Sequence, residues 1–342
     1  MGADLMGMAL RLQGRKPRVL SLLIAAATAT ATALLTSGCP GSPEQIQVPL
    51  SGWPSYEYFY LANKTGLDRK EGLAITNVQL PDPQAVINGY LREQFAVAQL
   101  SSVELLDLCN RTPSRCPAVV LVLDESSGGD QLAVHNSVAS IEALRGQKVA
   151  VTFSSLGPYV LELALQRHAL TLNDVQLVNM PLERMPEALQ RREVMAAAVY
   201  PPFSEMVTRK GVSRPLFSSQ ETPGEILDLL VVDPRELERN PQRISRLVRV
   251  WQQAHALAQS DPAAAIAVMA QREGLTPKEF AKAEGGLRYF SLEEQRKLLA
   301  PNGPVVRNLA HVHSVQTALG LSPKGSVMPQ VSDRAVQDAL KP

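Results

Sequence analysis

From residue 45 the chain alternates short apolar runs with segments whose apolar residues recur at helical spacing. Residues 45–50 alternate like a strand and run into the turn-rich loop Ser51-Gly52-Trp53-Pro54-Ser55. Tyr56, Phe59, Tyr60 and Asn63 then share one helical face. Strand signals follow at 75–80 and 95–99, with a helix at 84–91 between them and another at 103–109, which Ser101-Ser102 caps. The continuous apolar, β-branched run 118–123 has the composition of a buried central strand. A second alternating set begins after Ser140, with strands at 148–152, 175–180 and 196–200 and helices at 159–168, 185–190 and 203–210. A further apolar strand covers 226–232. Strands alternating with helices predict an α/β fold with a mainly parallel sheet.

Beyond 240 the pattern turns helical. Asn240-Pro241 and Asp261-Pro262 each place a capping side chain before a first-turn proline. Thr276-Pro-Lys-Glu279 and Ser291-Leu-Glu-Glu294 have the form of capping boxes. Leu247, Val248, Trp251 and His255 make a stripe that reads as core packing. Leaving one α/β unit near Ser140 and returning near Ile226 predicts two lobes joined by a hinge. Their boundaries are 39–140 for the first part of lobe 1, 141–225 for lobe 2, and 226–342 for the return to lobe 1 and the C-terminal helices.

The amino terminus has its own logic. Arg11, Arg15, Lys16 and Arg18 precede an Ala/Thr-rich apolar stretch at 19–35 that ends in Leu35-Thr36-Ser37-Gly38-Cys39. A basic end, a short apolar core and small residues at a cut site form an export signal. The segment resembles a bacterial lipoprotein leader. That resemblance implies cleavage after residue 38 and lipidation of Cys39, although Thr36 stands where the pattern prefers Leu. It also implies a body held by lipid to a bacterial membrane, in the periplasm or at the cell surface.

The whole chain carries a net charge of +1, and the body without its leader is close to neutral. It therefore lacks the broad basic footprint that nucleic acid requires. Cys109 and Cys116, separated by a Pro-containing turn, read as a local disulfide in an exported protein, with free thiols as the alternative. His311 and His313 diverge on a helix, so no metal site is expected. The sequence contains no nucleophile elbow, phosphate-cradling glycine loop or metal-protease His pair. No cofactor is expected, and the protein is read as a non-enzyme.

Three stretches carry a family resemblance. They are Gly52-Trp-Pro-Ser-Tyr-Glu-Tyr-Phe-Tyr-Leu-Ala62 with Gly66-Leu-Asp-Arg-Lys-Glu-Gly-Leu73; Ser140-Ile-Glu-Ala-Leu-Arg-Gly-Gln-Lys-Val-Ala-Val151 with Ser154-Ser-Leu-Gly157; and the run from Asn240-Pro through Trp251 to Asp261-Pro-Ala-Ala-Ala-Ile266. Together they resemble ABC-transporter solute-binding proteins of the taurine/sulfonate/nitrate and thiamine-precursor (NMT1/THI5-like) group. The resemblance implies the type II periplasmic-binding fold and a small, anionic organic solute such as a sulfonate, nitrate or carboxylate. It also implies delivery to an ABC permease and its ATPase, and a monomeric receptor.

Candidate ligand contacts follow. Trp53, Ser55 and Tyr56 form a wall or merely pack. Ser154 and Ser155 precede a helix whose start favours an anion, or they simply cap it. Ser101 and Ser102 touch the solute or cap their own helix. Asp124 meets a ligand amine or opens a turn. Tyr200-Pro201-Pro202 stands where the family often has aromatic–Glu–Pro, so an acidic contact is missing there. A sensory receptor with the same cleft, or a pyrimidine-precursor binder or synthase-like enzyme, are the alternatives.

Overall fold

A computed structural model describes residues 42–153 and 155–341. The leader, the lipidation candidate Cys39 and the site candidate Ser154 lie outside the described residues. The strands are β1 (Glu44–Leu50), β2 (Leu73–Gln79), β3 (Val97–Ser101), β4 (Ala118–Ser126), β5 (Gln131–His135), β6 (Lys148–Val151), β7 (Gln176–Asn179), β8 (Ala196–Val199), β9 (Ser213–Ser218), β10 (Leu227–Val232) and β11 (Leu287–Arg288). One lobe holds the sheet β11-β4-β10-β3 with the parallel pair β1-β2 beside it; the other holds β7-β6-β8-β5-β9.

The fold is α/β in two lobes, but the sheets are mixed rather than mainly parallel. β6 runs parallel to β7 and β8, whereas β10 is antiparallel to both β3 and β4, and β5 to both β8 and β9. The reversed strands β5 and β10 are those that enter a lobe directly from the other one. Pairing also moves the outward crossing to residues 127–130, ahead of Ser140, because β5 already belongs to the second sheet. β5 and β9 gave no strand signal in the sequence. β5 is short and follows Gly128-Gly129, and β9 carries Pro215, which a strand at the sheet edge tolerates.

β4 is buried along its whole length, as its apolar run requires. Its Val122 is gripped by the buried side chain of Gln295, which donates to the Val122 carbonyl at 2.6 Å and accepts from its N–H at 2.9 Å. A side-chain amide thus replaces the strand neighbour that these backbone groups lack. The two crossings are tied together. Ser126 Oγ meets Ser219 Oγ at 2.8 Å, Gly128 N–H donates to Ser219 Oγ at 2.7 Å, and Ser219 N–H donates to the Asp130 carbonyl at 2.9 Å. Gly286 closes over this knot, where an added Cβ would lie 2.9 Å from Gly129 N.

Helices begin largely where the sequence marks them. Ser101, Thr276 and Ser291 form capping boxes with Glu104, Glu279 and Glu294, and Asp261 caps Ala264 N. Asn240 does not cap; its amide turns to Glu236 instead. Helix Pro241–Ser260 buries Trp251 against Tyr58, His255 and Tyr289, and its indole N–H donates to the Ser55 carbonyl at 3.0 Å. Cys109 and Cys116 are joined in a disulfide with Cα atoms 4.3 Å apart, staking the end of helix Ser102–Arg111 to the approach to β4. No helix among the described residues is long and apolar enough to cross a membrane.

Candidate functional site

A cavity of about 550 Å³ lies between the lobes. Its walls come from loops and element ends of both sheets: Trp53, Tyr56, Ser101 and Asp228 from one side, Thr152, Ser155, Asn179 and Tyr200 from the other. This is the expected place in an open α/β architecture, where strand ends and the helix starts beyond them converge.

One row across the first sheet builds the floor. β10 pairs Asp228 with Ser101 on β3 and with Asp124 on β4. Asp228 Oδ1 accepts the Tyr56 hydroxyl at 2.5 Å, and Asp124 Oδ2 accepts the Trp53 indole N–H at 3.0 Å. Two buried carboxyls thereby aim two aromatic rings. Trp53 meets Tyr200 edge-on, with ring centroids 6.0 Å apart, so one aromatic wall spans both lobes. Ser155 Oγ donates to Glu104 Oε1 at 3.1 Å, a second contact across the cleft. Outside the cavity, ion pairs from Arg209 to Glu279 and from Lys282 to Glu205 join helix Phe203–Thr208 and the residue after it to helix Pro277–Glu284.

The sequence candidates divide cleanly. Trp53, Tyr56, Ser101, Ser155 and Tyr200 line the cavity. Ser55, Ser102 and Asp124 do not: all three are fully buried behind it. Ser102 is the first residue of its helix, and Asp124 lies within β4 as the acceptor for Trp53 rather than at a turn. Ser155 is no cap either, because Leu156 occupies that position without a side-chain bond. His311 lies outside the cavity, where its Nδ1 meets Glu225 at 2.8 Å.

The sequence reading missed the acids. Glu104, Asp130 and Asp228 are buried side chains that face the cavity. Burial raises the pKa of all three, and the mutual repulsion of the carboxyls adds to it for Asp130 and Asp228. Asp130 and Asp124 are each pushed up to about 7, chiefly by burial. The Ser126 hydroxyl dipole opposes this at Asp130, as the Ser55 and Trp53 donors do at Asp124. An acid inside the otherwise apolar run 227–232 was the one available signal for Asp228.

Residues 53–265 match the sequence pattern of the family described as NMT1/THI5 like. The chain belongs to the NMT1/THI5-like family. A Brucella abortus (strain 2308) protein named as a binding protein is 20% identical over 162 residues, covering 46% of this chain and 51% of that one. The chain thus spans about half the length of the curated relatives it matches. Among solved structures, the alkanesulfonate-binding protein SsuA of Xanthomonas axonopodis pv. citri, bound to MOPS, superposes with a TM-score of 0.68. It has 16% identity and covers 84% of this chain and 96% of that one. The desulfurization enzyme DSZB with biphenyl-2-sulfinic acid gives 0.63 at 14% identity, covering 87% and 99%. At these identities the likeness is one of fold, the two-lobed periplasmic-binding fold.

Proposed function

We propose that this family member is an extracytoplasmic receptor that encloses a small organic solute between its lobes and delivers it to an ABC permease and its ATPase. The observation that carries the reading is the interlobe cavity, whose aromatic wall takes Trp53 from one lobe and Tyr200 from the other. Its volume and its mix of apolar and polar lining suit a small metabolite. The lobes would be 39–126 with 227–342, and 131–218, linked by the two short crossings. Opening and closing about them would change the surface shown to a permease. Lipid on Cys39 would keep a monomeric receptor beside its importer, in the periplasm or at the cell surface.

The sulfonate ligand of the SsuA neighbour makes sulfonates one solute class to try; the acids in the lining favour amines. The test is a thermal-shift and calorimetric screen of small organic solutes, followed by uptake of any hit in a strain lacking the gene. A saturating hit at 100 times its Kd should stabilise the fold by roughly 2.7 kcal/mol. A protein that binds no small solute, in a strain whose uptake is unchanged, would end this reading.

A further inference from the structure

The charge lining the cavity is one-sided. Six carboxyl side chains and a single cationic one, Arg272, contribute to its walls among the described residues. That cation is already committed, since Arg272 makes a two-pronged ion pair with the buried Glu57. Donors on two residues that would suit an anion are likewise occupied. The Ser155 hydroxyl points its hydrogen at Glu104, its N–H donates to the Thr152 carbonyl at 3.1 Å, and the Tyr56 hydroxyl is spent on Asp228.

Asp130 is the exception among the buried acids. Glu104 accepts from Ser101 N–H and Ser155, and Asp228 accepts from Tyr56. Asp130 is 1% exposed and lines the cavity; the Ser126 hydroxyl bears on its carboxyl, yet neither oxygen has a partner at full hydrogen-bond distance among the described residues. Its backbone is anchored on both sides. Its N–H donates to Ser126 Oγ at 3.1 Å, and its carbonyl accepts from Ser219 N–H at 2.9 Å. A buried carboxyl without a donor is costly unless something supplies one. Here the chain sets the carboxyl in the cavity lining with its hydrogen-bonding capacity largely unused.

We infer that the solute is a small organic cation, a protonated amine or amidine on an apolar or aromatic body, with its N–H groups donating to Asp130 and Asp228. The inference rests on the receptor reading above and names the solute class of that same cavity. Trp53 and Tyr200 supply the wall for the body and would also attract a cation over their ring faces. The raised pKa of Asp130 fits: without a cation beside it the carboxyl tends to hold a proton, and an arriving ammonium would displace that proton. Where Glu104 and Asp228 ionise beside a bound cation they add negative potential in a low-dielectric enclosure, which disfavours an anion of similar shape.

The test uses the full chain, purified in detergent, with size-matched probes: 2-phenylethylamine, 2-phenylethanol and 2-phenylethanesulfonate, alongside a panel of aliphatic amines, amidines and their sulfonate counterparts. Titration calorimetry at pH 8 should show an amine or amidine binding at least 10-fold more tightly than its alcohol and sulfonate matches. Asp130→Asn should remove at least 10-fold of that affinity while the variant, without solute, melts no lower than the parent. A sulfonate that binds more tightly than its matched amine overturns the inference and leaves the receptor reading standing. So does an amine whose affinity Asp130→Asn leaves intact. Binding of no probe from either charge class overturns both.

Discussion

Trp53 and Asp124 stand 71 positions apart, yet the indole N–H donates to the carboxyl at 3.0 Å, with the acid fully buried behind the ring. A residue outside the cavity thereby sets the angle of the aromatic surface inside it. Asp124 is best described as a positioning residue, which gives the acid that follows the apolar run of β4 a role.

The first prediction concerns the chain's two tryptophans. Trp53 lines the cavity, whereas Trp251 is fully buried in a separate aromatic cluster. Fluorescence changes on solute binding should therefore survive W251F and vanish in W53F, measured at saturating solute. A signal that tracks Trp251 would mean that the solute lies elsewhere.

The second follows from Asp130. Its folded pKa of about 7 lies above the ordinary carboxylate value, so the charged form costs stability in the solute-free protein. The cost is absent below about pH 4, where the group is protonated in both states, and is complete once pH has risen past about 7. D130N should thus stabilise the solute-free protein at pH 8, on the order of 2 kcal/mol, with the gain fading towards pH 4. Urea melts of parent and variant at four pH values would show it; a gain independent of pH would point to packing instead.

Much of this architecture was legible in the sequence, for a physical reason. β4 and helix Pro241–Ser260 are long and strongly patterned, so their periodicity survives whatever surrounds them. Trp53, Tyr56 and Tyr200 stood out because large aromatics just beyond strand ends have few roles other than packing or binding. Glu104 did not, since Ser101 and Glu104 read as a capping box, and they are one; the cavity is a second use of the same carboxyl. Asp130 and Asp228 lie 98 positions apart in sequence and meet only because two crossings return the chain to one place. Local pattern carries no record of that.

The third prediction tests the buried ion pair. Glu57 is fully buried and engages Arg272 on the helix Pro262–Glu273, and burial raises its pKa against the pull of that guanidinium. R272M strands an acid without its partner and should cost about 3–5 kcal/mol. E57Q/R272M, which removes both charges, should recover a large part of that. Equal loss in the single and double variants, read from urea midpoints, would show that shape rather than charge is at stake.

The fourth concerns the disulfide. Cys109 and Cys116 close a short loop between helix Ser102–Arg111 and β4, and Ser101 at the other end of that helix lines the cavity. For so short a loop the chain-entropy gain is about 2–3 kcal/mol. C109A/C116A should lose roughly that amount, and reductant should lower the parent's melting temperature but not the variant's. An unaffected parent would mean that the thiols are unpaired in solution.

The last turns on closure. Ser155 and Glu104 belong to different lobes, and their 3.1 Å hydrogen bond exists only while the lobes are together. Removing the hydroxyl withdraws stabilisation from the closed form and not from the open one, so S155A should lower the closed population. Apparent affinity scales with the competent fraction, so a bond contributing about 1 kcal/mol predicts a loss of up to about 5-fold. The loss should be similar for every solute the site accepts, because Ser155 acts on the lobes and not on one ligand. Small-angle scattering of S155A without solute should give a larger radius of gyration than the parent. A strongly ligand-dependent loss with unchanged scattering would instead make Ser155 a direct contact.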